Sequence, residues 1–228
     1  MSKSALLKSS LAKKYWMAAT GLFLCLFLLG HLAGNLQLFI GGEAGRLQFN
    51  AYAEFMTSNP AVKILSYVTY LSILFHAIDG LVLTIANRKA RPVGYQYSRP
   101  SANSPWTSRN MGVLGTIILV FIVVHMSNFW YVMHFGEIGQ DSAGNKDLYS
   151  VVIAAFTDPS IGLVYVIGYV LAMLAVAFHL VHGFSSSFQS LGLRTPKLAG
   201  ALKTAGYAFA ILVPLLFASI PIYIHATF

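Results

Sequence analysis

The sequence predicts an all-α integral membrane protein: one bundle of five spanning helices over residues 1–228, with no separate soluble domain. Three observations predict it. The chain is 57% hydrophobic and only 10% charged, with a mean hydropathy of +0.67, whereas a soluble domain carries about a quarter of its residues charged. Apolar runs recur at the length a hydrocarbon core demands, about 20 residues of helix for ~30 Å. Turn chemistry separates them, at Gly41–Gly42, Asn59–Pro60, Pro92 to Pro105, Asp158–Pro159 and Thr195–Pro196.

The first span runs from Tyr15 to Phe39. Lys3, Lys8, Lys13 and Lys14 precede it, but the run is long and lacks a small-residue cleavage site, so a retained helix is expected rather than a signal peptide. It carries His31 and Cys25, the one cysteine. A single cysteine excludes a disulfide framework, a thiolate zinc motif and a C-x-x-C-H attachment site. The second span, Val62 to Asn87, carries His76 and Asp79. The third, Asn110 to Phe135, carries His125, with His134 at its end. The fourth, Ser160 to Ser190, carries His179 and His182; the fifth, Lys203 to Ala226, ends beside His225.

Charge sets the expected orientation. Arg88, Lys89, Arg91, Arg99 and Arg109 crowd the second-to-third connection, and Arg194, Lys197 and Lys203 the fourth-to-fifth. The opposite connections hold Glu43, Glu54, Glu137, Asp141, Asp147 and Asp158. Basic loops stay in the cytoplasm, so the N-terminus is expected inside and the C-terminus outside. The net charge of +8 thus belongs to topology, and no nucleic-acid partner is expected. Tyr15, Trp16, Trp106, Trp130 and Tyr131 fall near span ends, where interface aromatics sit.

Ionisable groups inside a span are costly and mark function, so the depth of each histidine matters. At ~1.5 Å per residue, His31 lies ~25 Å beyond Lys14 and His125 ~24 Å beyond Arg109, both in the outer half. His76 lies ~18 Å before Arg88 and His179 ~15 Å before Gln189, both in the inner half. Two histidines at each of two depths suit bis-histidine ligation of two b haems, since bundle cores build such sites from facing helices. Zinc would want four ligands, usually including thiolates or carboxylates. Gly80 and Gly183, one turn beyond His76 and His179, leave bare backbone for a porphyrin. Gly21 and Gly115 lie ~15 Å below the outer ligands, level with the inner pair.

Several residues keep two readings. His182 competes with His179; the two stand ~60° apart around the helix, so both cannot serve one iron. The glycine four residues on favours His179 and leaves His182 to a haem propionate or a carbonyl. Any one buried histidine is also explained by an interhelical hydrogen bond. His134 reads as interfacial and His225 as surface. Asp79 has three open roles: a partner for Arg88, an acceptor for an imidazole N–H, or an interfacial acid. Glu54 is a proton relay or a solvated loop acid. Arg109, Trp106 and Trp16 either bind propionates or anchor helix ends.

Taken together, G-H-L-A-G-N at Gly30–Asn35, F-H-A-I-D-G at Phe75–Gly80, V-H-M-S-N at Val124–Asn128 and F-H-L-V-H-G-F at Phe178–Phe184 form a pattern. With Leu191–Gly192 and F-N-A-Y-A-E-F-M-T-S-N-P at Phe49–Pro60, it resembles the dihaem cytochrome b membrane-anchor subunit of succinate:quinone oxidoreductases (succinate dehydrogenase or fumarate reductase), in the five-helix single-anchor class. The resemblance covers nearly the whole chain. It implies two b haems, ligated by His31 with His125 and by His76 with His179; the latter stands twelve residues before the Leu191–Gly192 pair. It implies a flavoprotein subunit and an iron–sulfur subunit docked on the cytoplasmic side, a bacterial inner (cytoplasmic) membrane location, and a quinone, usually menaquinone, reduced near the outer haem. Asn35, Gln37 and Glu54 are the polar residues to examine for quinone or proton binding there. This chain has neither a dinucleotide fingerprint nor a cysteine set for a cluster. The competing readings are a cytochrome b of another dehydrogenase or reductase complex and a haem-free, proton-coupled transporter.

Overall fold

A computed structural model of the chain describes residues 9–90 and 99–228. Lys3, Lys8, Arg91 and the Pro92–Ser98 part of the second-to-third connection lie outside the described residues. The regular elements of the described residues are helices, in the order α1 (Ser10–Asn35), α2 (Gly42–Ser58), α3 (Pro60–Lys89), α4 (Pro100–Asn103), α5 (Trp106–Arg109), α6 (Met111–His125), α7 (Val132–Phe135), α8 (Leu148–Thr157), α9 (Gly162–Ser190) and α10 (Ala199–Thr227). A 3₁₀ turn, Leu36–Phe39, extends α1, and a π turn, Met126–Tyr131, joins α6 to α7 without a break.

Five segments are long and apolar enough to cross a bilayer: Leu11–Phe39, Pro60–Lys89, Met111–Phe135, Gly162–Ser190 and Ala199–Thr227, of 25 to 30 residues each. They are the five spans expected, and the protein is a multi-pass membrane bundle. Their starts follow from local chemistry. The Ser9 hydroxyl accepts from Ala12 N–H at 3.1 Å and starts α1. Asn59 accepts from Ala61 and Val62 at 2.9 and 3.3 Å, with Pro60 in the first turn of α3, where its missing N–H costs nothing. Pro214 and Pro221 sit inside α10, as membrane helices tolerate more readily than soluble ones.

Two connections expected as loops are helices. Along α2, buried Gly45, Phe49, Asn50 and Ala53 form one face, the spacing of an amphipathic helix. In α8, Tyr149, Val152 and Phe156 do the same behind an Asp147 N-cap. At 17 and 10 residues both are too short to span, so they lie across one end of the bundle, called the capped end below.

The core sits at that end. Leu38, Phe49, Tyr149, Val152, Phe156, Val166, Tyr169, Ile220 and Ile224 pack together, and a smaller cluster holds Cys25, Leu180 and Ala210. Helices α9 and α10 form the interior, flanked by α1; α3 and α6 turn most of their side chains outward. Toward the opposite end Phe184 stacks on Phe209 at 5.5 Å, joining α9 to α10, and Gly112 of α6 approaches Thr84 of α3.

Candidate functional site

The four span histidines gather into two opposed pairs. His31 on α1 faces His125, the last residue of α6, with ring centres 5.7 Å apart and planes at 87°. His76 on α3 faces His179 on α9, at 6.1 Å and 63°. The helix register fixes their levels. A Cβ placed on Gly21 would stand 3.2 Å from Cε1 of His76, and one on Gly115 3.9 Å from Cε1 of His179. His31 lies ten residues beyond Gly21, and His125 ten beyond Gly115. Each helix therefore carries its own histidine ~15 Å above the lower pair. The upper pair lies toward the capped end.

The ring separations have a chemical meaning. Two metal–imidazole bonds of ~2.0 Å, with ~1.1 Å from nitrogen to ring centre on each side, put the centres ~6 Å apart. Both observed separations sit at that value. Direct imidazole hydrogen bonding is absent from both pairs. The polar contacts of His31 and His76 are at Nδ1, to Asn35 Nδ2 at 3.4 Å and Thr20 Oγ1 at 3.3 Å. Nδ1 of His125 and Nδ1 of His179 are buried without a partner. Buried polar atoms normally find one, and each pair holds one imidazole whose Nδ1 has none. Among the described residues, no group of three or more His, Cys, Asp or Glu gathers to hold an ion. The protein donors come in twos, and any metal between them needs its other donors from a group the chain does not supply.

The walls differ between levels. Phe27 stacks on His31 at 5.3 Å, and Phe217 lies 5.6 Å from it. His125 touches Phe121, Phe129 and Tyr169. The lower pair is walled by glycine: Gly21, Gly115 and Gly183 all border its rings, and Gly80 meets only the Met17 methyl. The glycine positions singled out in the sequence are thus at the lower pair. The π turn that follows His125 brings Trp130 Nε1 within 2.7 Å of the Tyr70 hydroxyl. Such turns often mark functional sites.

The other sequence candidates separate. His182 does not share the space of His179. It lines a recess of about 250 Å³ with Ser185, Ser186, Gln189, Arg194 and Lys203, against the start of α10. His134 is exposed and bonded to the Trp130 carbonyl, and His225 is exposed and bonded to the Phe156 carbonyl. Asp79 is half-buried, in no ion pair and no hydrogen bond with an imidazole among the described residues. Asn35 gives its amide hydrogen to the His31 carbonyl at 2.8 Å. Gln37 is half-buried in the 3₁₀ turn, and Glu54 is exposed on α2. Arg109 bonds the Ser104 carbonyl, Trp106 packs edge-on to Phe178, and Trp16 packs edge-on to Phe75.

Two features went unseen in the sequence. Thr20, buried beside His76, is one threonine among apolar residues with no spacing to flag it. The second is a polar lock at the capped end. Asn50, fully buried, donates to Asp141 and Asp147 at 3.1 and 2.9 Å and accepts from Tyr149 N–H at 2.8 Å. Arg46 binds Asp147 at 2.7 Å. Burial alone would raise the Asp147 carboxyl, but hydrogen bonds from Arg46, Ser150 and Asn50 outweigh it and hold it far below the usual range. An Asp preceding an apolar run is an N-cap signal that pointed to α8.

No protein-family model, curated protein or solved structure matches the chain.

Proposed function

We propose that the chain is the membrane-anchor cytochrome b subunit of a succinate:quinone oxidoreductase in a bacterial cytoplasmic membrane, with two b haems between a soluble iron–sulfur subunit and a membrane quinone. One observation carries it: two opposed imidazole pairs, ~15 Å apart along the helices, at the separation that one metal atom between two nitrogens requires. The residues fit haem. Two neutral nitrogens are offered from opposite sides, glycine leaves room for a flat macrocycle at the lower level, and aromatic rings face it at the upper. Bound there, haem supplies one-electron transfer.

The chain's own residues do the rest. His31 with His125, and His76 with His179, hold each group between two helices. The apolar walls keep water away. The basic N-terminus and the loops with Arg88, Lys89, Arg109 and Arg194 lie in the cytoplasm by the positive-inside rule and receive the flavoprotein and iron–sulfur subunits. The upper pair then lies outward, and Asn35, Gln37 and Glu54 belong to the end where quinone, menaquinone by the resemblance, takes up electrons and protons.

The test is a reduced-minus-oxidised spectrum with a haem count on the purified protein. Two b haems per chain are expected. A colourless protein removes this reading and leaves a proton-coupled transporter. Co-purification with a flavoprotein and an iron–sulfur protein separates succinate oxidation from the cytochrome b of another dehydrogenase.

A further inference from the structure

We infer that Thr20 is the positioning residue of the lower pair: it fixes the tautomer and the tilt of His76 so that Nε2 presents its lone pair to the site. This rests on the haem reading above for its purpose, but the geometry stands by itself.

The Thr20 hydroxyl has one hydrogen. It lies 2.9 Å from the Trp16 carbonyl and 3.1 Å from the Met17 carbonyl, and so donates backward into its own helix. What remains toward His76 is oxygen lone pairs, 3.3 Å from Nδ1. With that hydrogen turned back into the helix, an Nδ1–H imidazole satisfies the contact, and a neutral ring protonated at Nδ1 is bare at Nε2. The next residue completes the seat. Gly21 lies under the same ring, so close that a Cβ would come within 3.2 Å of Cε1. Thr20 is 6% exposed, which keeps water from competing for Nδ1.

The same helix treats the upper pair the opposite way. Asn35 turns its NH₂ group toward Nδ1 of His31, 3.4 Å away, and spends one hydrogen on the His31 carbonyl at 2.8 Å. A donor there does not hold an Nδ1 proton. His125 and His179 have no Nδ1 partner at all. His76 is therefore the only one of the four whose ring proton is placed by a side-chain acceptor among the described residues. An acceptor at the far nitrogen raises the basicity of a metal-bound imidazole, which favours the oxidised metal.

The experiment compares the wild type with T20V and T20S by redox titration of the b-type absorbance. T20V keeps the shape and removes the hydroxyl, leaving the Met17 carbonyl as the one neighbouring acceptor. It should move one of the two midpoint potentials upward and leave the other in place, and T20S should restore it. Two unmoved potentials overturn the inference. Nitrogen-15 solid-state spectra of histidine-labelled protein prepared without haem give a second readout. His76 should be protonated at Nδ1 in the wild type and lose that preference in T20V. Protonation at Nε2 in the wild type overturns the Thr20 assignment whether or not the protein binds haem, whereas a missing haem spectrum alone overturns only the function proposed above.

Discussion

His179 and His182 show how much turns on one residue's direction. They are three positions apart on α9, yet one faces His76 and the other a polar recess against the start of α10. H179A should cut the haem count from two to one, and H182A should leave two; pyridine haemochrome assay of each purified variant decides it. Equal losses would put both rings in one site. Gly21 gives a finer probe. A methyl at 3.2 Å from the His76 ring makes the imidazole give by a few tenths of an ångström, because the contact is tighter than ordinary van der Waals packing. G21A should lose haem from the lower site in titration with added haem, with the upper site filling as before. Gly30, which meets nothing within 4 Å, is the control, and G30A should bind both.

At the scale of elements, the capped end is a polar lock between α2 and the connection that precedes α8. Asn50 joins three partners that would otherwise be buried with fewer bonds. Replacing it by leucine should cost about 2–4 kcal/mol, the order expected for partners left buried and unpaired. Thermal melting followed by circular dichroism in detergent would show it, and an unchanged midpoint would mean the lock is dispensable. The same lock has a pH signature. Asp147 is held below its unfolded value of ~3.9, so its contribution is present above that value and disappears as pH falls through the folded one. The melting temperature should be flat from pH 7 to 5 and fall below about pH 4. In D147N the acid fall should shrink. The helices α3 and α6 have no such lock and bury little; the opposed imidazoles meet across them, beside the Thr20–His76 contact and a hydrogen bond from Asn128, in the π turn after α6, to Tyr169 of α9. Stability in detergent should therefore rise when haem is supplied, by ligand linkage.

At the scale of the whole molecule, five antiparallel crossings place the two pairs at different depths of one membrane. On the function proposed above, with the basic loops in the cytoplasm, an electron entering below would leave above, where protons would be taken up. Each charge crossing gains about 2.3 kcal/mol per 100 mV, enough to assist reduction of a low-potential quinone. Intact cells respiring on succinate should slow when an uncoupler collapses the potential, while isolated membranes given an artificial acceptor should not. An oxygen-uptake rate indifferent to uncoupler would sink that coupling. Single-cysteine labelling at Lys13 and at Phe228, in a chain with Cys25 replaced, checks the orientation on which it rests.

The sequence alone determined the number of crossings, their approximate ends and the depth of each histidine. Those follow from transfer energy and from a fixed rise per residue, and both are local. It also placed Gly21 and Gly115 at the level of His76 and His179, since depth is only arithmetic along a helix. What it left open was azimuth and partnership. Whether His179 or His182 meets His76 depends on how α9 is rotated against α3, which the packing of α9 on α10 decides. Helix α2 was hidden because a short amphipathic helix has no hydropathy peak, and α8 because its apolar run is too short to span. Thr20 and the Asn50 lock were hidden because each is an ordinary residue until a helix distant in sequence brings its partner within hydrogen-bonding distance. Only the tertiary structure supplies that, because such a bond depends on two separately placed backbones.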